Sequence, residues 1–177
     1  MRPNVAQASL PLASSRNGFA ETWANLSSCR TYRYALGRRV SDASGRVLFC
    51  MLNPSVADEV QGDPTITRCI GFARRWGIGE LVACNLYAFR ATRPADLWLA
   101  KDPIGPLNDD AIQMWAASSS LIVCAWGNQR KATARAQQVV TQLRRVGQIH
   151  HLGLTNNGSP RHPLYLRADT EPVLWAA

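Results

Sequence analysis

Four apolar runs divide the chain: RVLFCML from Arg46, ELVACNLYAF from Glu80, LIVCAWG from Leu121 and IHHLGLT from Ile149. Each is short and almost continuous, as expected of strands buried on both faces. Between them, apolar residues fall at helical spacing. In DPTITRCIGFARRWGIG, Ile66, Ile70, Phe72, Ala73 and Trp76 share such a pattern. Asp63 or Thr65 caps its start and Gly77 its end. NDDAIQMWAASSS reads as a helix capped from Asn108, and KATARAQQVVTQLRRVG as a long amphipathic helix stopped by Gly147. This alternation predicts an α/β fold in three layers, α/β/α, around a central, mainly parallel four-stranded sheet. CRTYRYALGRRVSD alternates well enough for a further strand, and SDASG before Arg46 reads as a hairpin turn, adding an N-terminal hairpin extension. Residues 1–28, rich in Ala, Ser, Asn and Pro, predict a loosely held segment with a helical turn around Phe19 to Leu26. Residues 29–177 then form one domain.

Composition narrows the class of partner. The net charge is +8, and only two of the 20 basic residues are Lys. A guanidinium binds two phosphate oxygens at once, so an Arg-based excess favours DNA or RNA. The five cysteines are odd in number and form no CxxC pair. They predict a reduced, cytoplasmic protein without a disulfide framework, zinc site or iron-sulfur site. No apolar h-region or membrane-length run is present, which points away from a secreted or membrane protein. GxGxxG, Walker and GxSxG motifs are all absent, which argues against a nucleotide cofactor and an esterase-type nucleophile.

In a parallel sheet, ligands bind beyond the carboxyl ends of the strands. The four runs end in NPS, NLYAFR, WGNQR and NNGSPRHPLY, so their polar residues converge on one edge. Asn53 before Pro54 is by itself an ordinary turn residue; its other reading is an amide that holds a water or a polarised substrate atom. Asn85 is costly inside an apolar strand unless both ends of its amide are partnered, by backbone or by the edge of a base. His162, in SPRHPLY, is either a surface loop residue or a donor to negative charge on a leaving group. Asp58, Glu59 and Asp63 follow the first run closely; one of them assists water or a cationic sugar, or they cap the next helix. Arg90, Arg93, Arg130 and Arg161 flank strand ends, where they meet phosphate or solvent. His150 and His151 are consecutive on a strand and face opposite ways, a poor start for a metal site.

MLNPS, VACNLYAFRATRP and RHPLYL together resemble, in order and placement, motifs of the uracil-DNA glycosylase superfamily. The resemblance runs from Arg46 to Leu166. It implies that Asn53 positions the hydrolytic water, that Asn85 reads the base edge and that His162 stabilises the leaving base. Pro54, Ser55, Thr65 and Tyr87 would line the base pocket. Leu164 or Tyr165 would enter the duplex, with the four arginines on phosphates. The chain is similar as well to a bacterial family marked by LNPS, DPT, NLxAxR and GxPRHPLYL. Ser55 stands where the mismatch-specific branch of the superfamily has Gly, and Thr65 where many members carry a base-stacking Phe. That exchange implies a roomier pocket.

The resemblance therefore implies a monomeric DNA glycosylase without metal or cofactor. It would flip a damaged or modified base from duplex DNA and hydrolyse its glycosidic bond. A bulky cytosine of phage DNA, such as glucosylated hydroxymethylcytosine, fits the missing aromatic, with phage defence as the role. The alternatives are a non-catalytic nucleic-acid-binding module on the same fold and a hydrolase of free nucleosides or nucleotides.

Overall fold

The computed structural model describes residues 22–55 and 63–176. The elements run in the order β1 (Thr22–Leu26), β2 (Arg33–Arg39), β3 (Arg46–Met51), α1 (Pro64–Arg75), β4 (Glu80–Asn85), α2 (Pro94–Leu97), α3 (Asn108–Ala117), β5 (Leu121–Cys124), α4 (Thr133–Val146), β6 (Ile149–His151) and β7 (Val173–Leu174). The four apolar runs supply β3, β4, β5 and β6, and these are mutually parallel in the order β4-β3-β5-β6.

The expected four-stranded sheet is the centre of a seven-stranded mixed one, ordered β1-β2-β4-β3-β5-β6-β7. β1, β2 and β7 add antiparallel pairings at its two sides. Two further expectations change. Thr22 to Leu26 is an edge strand rather than a helical turn. Trp23, within it, stacks on Trp115 of α3 with ring centroids 4.7 Å apart. The SDASG turn does not close a hairpin either. β2 pairs with β4, Leu36 opposite Ala83, while β3 lies on the far side of β4. The hairpin at this end is β1 with β2.

The sheet is covered on both faces. Leu48, Cys50, Val82, Cys84 and Ile122 pack towards Ile112 of α3 and Val139 and Leu143 of α4. Val47, Phe49, Leu81, Ala83 and Val123 pack towards Ile66, Cys69, Phe72 and Ala73 of α1. Residues alternate between the two cores because strand side chains alternate between faces. α1 forms as its sequence predicts. The Asp63 carboxylate accepts from the Thr65 amide at 2.7 Å, Pro64 opens the first turn, and Gly77 at φ +69° ends the helix. Asn108 does not cap α3. It is the first helical residue, fully buried, and its amide group points back to the sheet.

Chain connectivity creates a crevice. From β3 the chain crosses by α1 to β4 on one side. From β5 it crosses by α4 to β6 on the other. β3 and β5 are neighbours whose connections leave in opposite directions, which opens a gap beyond their carboxyl ends.

Candidate functional site

The site is assembled from the residues just past β3, β4 and β5. The parallel ladder ends at Met51 opposite Asn85, but the pairing continues beyond it. Leu86 N–H donates to Met51 O at 2.8 Å, Tyr87 N–H to Leu52 O at 3.0 Å and Ala91 N–H to Pro54 O at 3.0 Å. Into this frame Asn53 Nδ2 donates twice, to Ala91 O at 2.9 Å and to Pro54 O at 3.1 Å. The amide is thereby oriented, and its Oδ1 has no hydrogen bond among the described residues.

Asn85 is only 1% exposed, and its Nδ2 has no hydrogen-bond partner among the described residues. Leaving such a donor dry costs roughly 1–3 kcal/mol. Nothing about the strand requires an amide there; Ala83 and Leu81, two and four residues earlier, are apolar on the same face. The backbone around Asn85 is held firmly. Asn108 Nδ2 donates to Asn85 O and to Leu86 O, each at 3.0 Å, and Arg135 Nε donates to Leu86 O at 2.9 Å. Arg135, almost wholly buried on α4, is in turn paired with Asp109.

Ser55, Asp63 and His162 form the third part. Ser55 Oγ donates to Asp63 Oδ2 at 3.1 Å, while Asp63 Oδ1 takes the Thr65 amide. The 3₁₀ turn Pro163–Tyr165 packs against α1, and the Arg68 guanidinium donates to Leu166 O just beyond it. His162 begins that turn, its Nδ1 accepting from Leu164 N–H at 3.4 Å. Burial lowers its pKa from the ordinary 6.5, and the nearby Asp63 carboxylate opposes that shift in part. A neutral ring accepting at Nδ1 carries its proton on Nε2, so it is a donor at neutral pH. Gly127, three residues past β5, has a φ of +76° that favours glycine, and it lies against the His162 loop. A Cβ there would lie 3.4 Å from that of His162.

Asn53, Ser55, Asp63, Thr65 and His162 thus gather around the end of β3 and the start of α1, with Asn85 one strand away. Pro54 is buried within the paired segment. Asp58 and Glu59 lie outside the described residues. Tyr87 belongs elsewhere: it packs in the opposite core, its ring edge-on to Trp98 at 5.4 Å, and burial raises its pKa. The arginines divide. Arg90 donates to Arg30 O, and Arg93 is paired with Asp96, both on the β4 side. Arg130 and Arg161 border a groove of about 670 Å³ beside β5 and β6, which His162 and Tyr165 also line. Tyr165 is 87% exposed, and Leu164 is half-buried.

The sequence reading missed Asn108, Arg135 and Arg68. Asn108 carried the ordinary signature of a cap, and Arg135 and Arg68 that of a solvated helix face; only the packing reveals what they hold. Among the described residues no His, Cys, Asp and Glu cluster could hold a metal ion, and no helix is long and apolar enough to cross a membrane. Cys50, Cys69, Cys84 and Cys124 are buried free thiols, their pKa raised by burial, that of Cys50 to about 12.

No curated protein and no solved structure matches the chain. A family model, described as a protein of unknown function, DUF1643, matches residues 33–164. The match starts at the first residue of β2 and ends two residues past His162, leaving out the edge strands β1 and β7. It takes in Asn53, Ser55, Asp63, Asn85 and His162, and the chain therefore belongs to the DUF1643 family.

Proposed function

We propose that the protein is a DNA N-glycosylase of the cytoplasm, related in fold and site to the uracil-DNA glycosylase superfamily. The observation that carries the reading is the buried Nδ2 of Asn85, without a partner among the described residues, on a strand end held by Asn108 and Arg135. A donor that nothing in the described chain satisfies is suited to an acceptor on a ligand, such as a carbonyl or ring nitrogen of an extruded base.

The remaining groups suit the hydrolysis of a glycosidic bond. Asn53, oriented through its Nδ2 bonds, can accept a hydrogen bond from water at Oδ1 and hold that water towards the sugar. Departure of the base leaves positive charge on the sugar and negative charge on the base. The neutral His162 can donate from Nε2 to the departing base. The Asp63 carboxylate lies near enough to His162 to affect its pKa, and it places negative charge close to the cationic sugar. With Thr65 where a stacking Phe would narrow the pocket, the reading extends to a bulky base. Glucosylated hydroxymethylcytosine of phage DNA is the case of choice, with phage defence as the role.

The test is incubation with duplex oligonucleotides carrying uracil, hypoxanthine or glucosylated hydroxymethylcytosine, followed by alkali. Strand breaks at the modified position are expected, and Asn53→Ala should slow their formation by about 10²–10³-fold. Intact strands across the panel would sink the proposal. A second reading, a binding module without catalysis, is supported by the same two Asn53 bonds, which would serve a simple turn equally well. It predicts salt-sensitive DNA binding that Asn53→Ala leaves unchanged, with no base released.

A further inference from the structure

Among the described residues, the groove beside β5 and β6 has a cationic, carboxylate-free lining of which the excision chemistry uses only His162. Its walls come from the loop after β5, the turn 155–157 and the His162 loop. Asn157 Oδ1 accepts from the Thr155 hydroxyl, and Asn157 Nδ2 donates to Asn128 Oδ1 at 2.7 Å. Each of these two amide oxygens thus already carries a hydrogen bond, while among the described residues Asn156, also on the wall, keeps both ends of its amide. The Asn128 Nδ2 hydrogens are left over at the end of this chain of bonds. Arg161 uses Nε on Leu154 O and keeps the rest of its fork, and neither it nor Arg130 forms an ion pair among the described residues. No carboxylate is among the described residues that line the groove. Its rim carries Tyr165, the most exposed large aromatic ring among the described residues, 6.5 Å from His162.

A wall with two cationic forks and no carboxylate suits an anionic occupant, and an exposed ring beside it suits a flat, unpaired one. We infer that this groove binds a single strand of DNA, with phosphates on Arg130 and Arg161, a base stacked on Tyr165 and the acceptors of that base read by Asn128. The inference deepens the excision reading. The strand in the groove is the one that continues from the extruded nucleotide, and Asn128 makes the enzyme sensitive to the neighbouring base.

Fluorescence anisotropy with a labelled single-stranded DNA oligonucleotide lacking any modified base tests this at several salt concentrations. Tyr165→Ala should weaken binding about tenfold. Asn128→Asp, which sets a carboxylate against the acceptors of the base, should weaken it by roughly tenfold or more. The Arg130→Ala/Arg161→Ala pair should flatten the logarithmic salt dependence by about 1.4, near 0.7 for each phosphate that no longer meets a guanidinium. All these positions are exposed or half-buried, and unchanged melting of each variant verifies the fold. Affinities within about twofold of wild type for Tyr165→Ala and Asn128→Asp, an unaltered salt slope, or preferential binding of single-stranded RNA would overturn the assignment. A protein that binds as described yet releases no base refutes excision and leaves the groove standing. Base release with groove variants that bind normally refutes the groove alone.

Discussion

The two ends of the parallel sheet are built from the same strands, yet they differ in how far their polar side chains are matched, although the amino end too has one buried donor without a described partner, Trp115 Nε1. At the amino end, Arg46 Nε donates to Glu80 Oε2 at 2.9 Å, its NH1 reaches Ser118 O and Oγ, and its guanidinium lies 5.0 Å from the Trp115 ring centroid. Ser120 N–H is bound to Arg46 O at 2.9 Å, and Val40 N–H to Gly79 O at 2.7 Å. A cleft of about 390 Å³ opens there, but its charges are already matched to one another. At the carboxyl end the backbone is tied down as tightly, by Asn108, Arg135 and Arg68, while the side chains it presents are left with capacity to spare. Among the described residues Asn85 has a buried donor without a partner, Asn53 an oriented amide and His162 a ring nitrogen not used in the turn. The contrast separates polar groups that stabilise a fold from polar groups that a fold holds ready. A rigid frame with unsatisfied side chains is the arrangement expected where a ligand supplies the missing partners.

The largest effect expected from this contrast is at Asn85. Asn85→Leu removes a donor that gains nothing from the fold, so melting should rise, by the equivalent of about 1 kcal/mol, while base excision falls by about 10²–10³-fold. A drop in melting temperature would mean that the donor is partnered and that the two ends are alike. Arg46→Ala should do the reverse. The pair is 24% and 31% exposed at its two side chains, so its loss together with the Ser118 contacts costs about 1 kcal/mol in denaturant unfolding, and excision stays at the wild-type rate. A variant as stable as wild type would show the matched charges of the amino end to be idle.

The smallest effect is one of pH. His162 has its pKa lowered from 6.5, chiefly by burial. Between that lowered value and 6.5 the unfolded chain binds more protons than the folded one, so stability rises with pH across this window and is level above it. Acidification should lower the melting temperature. His162→Gln should shallow that dependence without abolishing it, because His151 is shifted in the same direction by burial and by His150. A slope identical to wild type would place His162 in solvent rather than over Gly127.

Much of this was legible along the chain. Continuous runs such as LIVC announce strands buried on both faces, since a strand with one wet face would have to alternate. Asp63 and Gly77 mark the ends of α1 because capping is a local matter of one side chain and one backbone angle. The gathering of NPS, NLY and RHP at one edge followed from parallel direction alone. The partner of β2 was not legible. SDASG is a competent turn, and nothing nearby in sequence says that the strand before it crosses to β4 instead of folding back on β3. Asn108 was misread for the same reason. An Asn at a helix start caps by default, and its burial against Asn85 O and Leu86 O depends on where α3 lands on the sheet. Tyr87 shows a finer limit. Past the last ladder pair the strict alternation of faces lapses, and Leu86 and Tyr87 both join the α3 and α4 core.

By itself, the sequence determined the element types, their order and the chemistry carried at each strand end, because hydrophobic period, capping and turn propensity act over a few residues. Tertiary structure alone decided that β3 and β5 are neighbours with diverging connections, that Asp63 comes close to His162, and that Asn85 is left with a donor no described residue answers. These are matters of strand order and of hydrogen bonds between residues as far apart as Asn85 and Asn108. Such contacts carry no local signature, because either partner would look the same in the sequence if the other were absent.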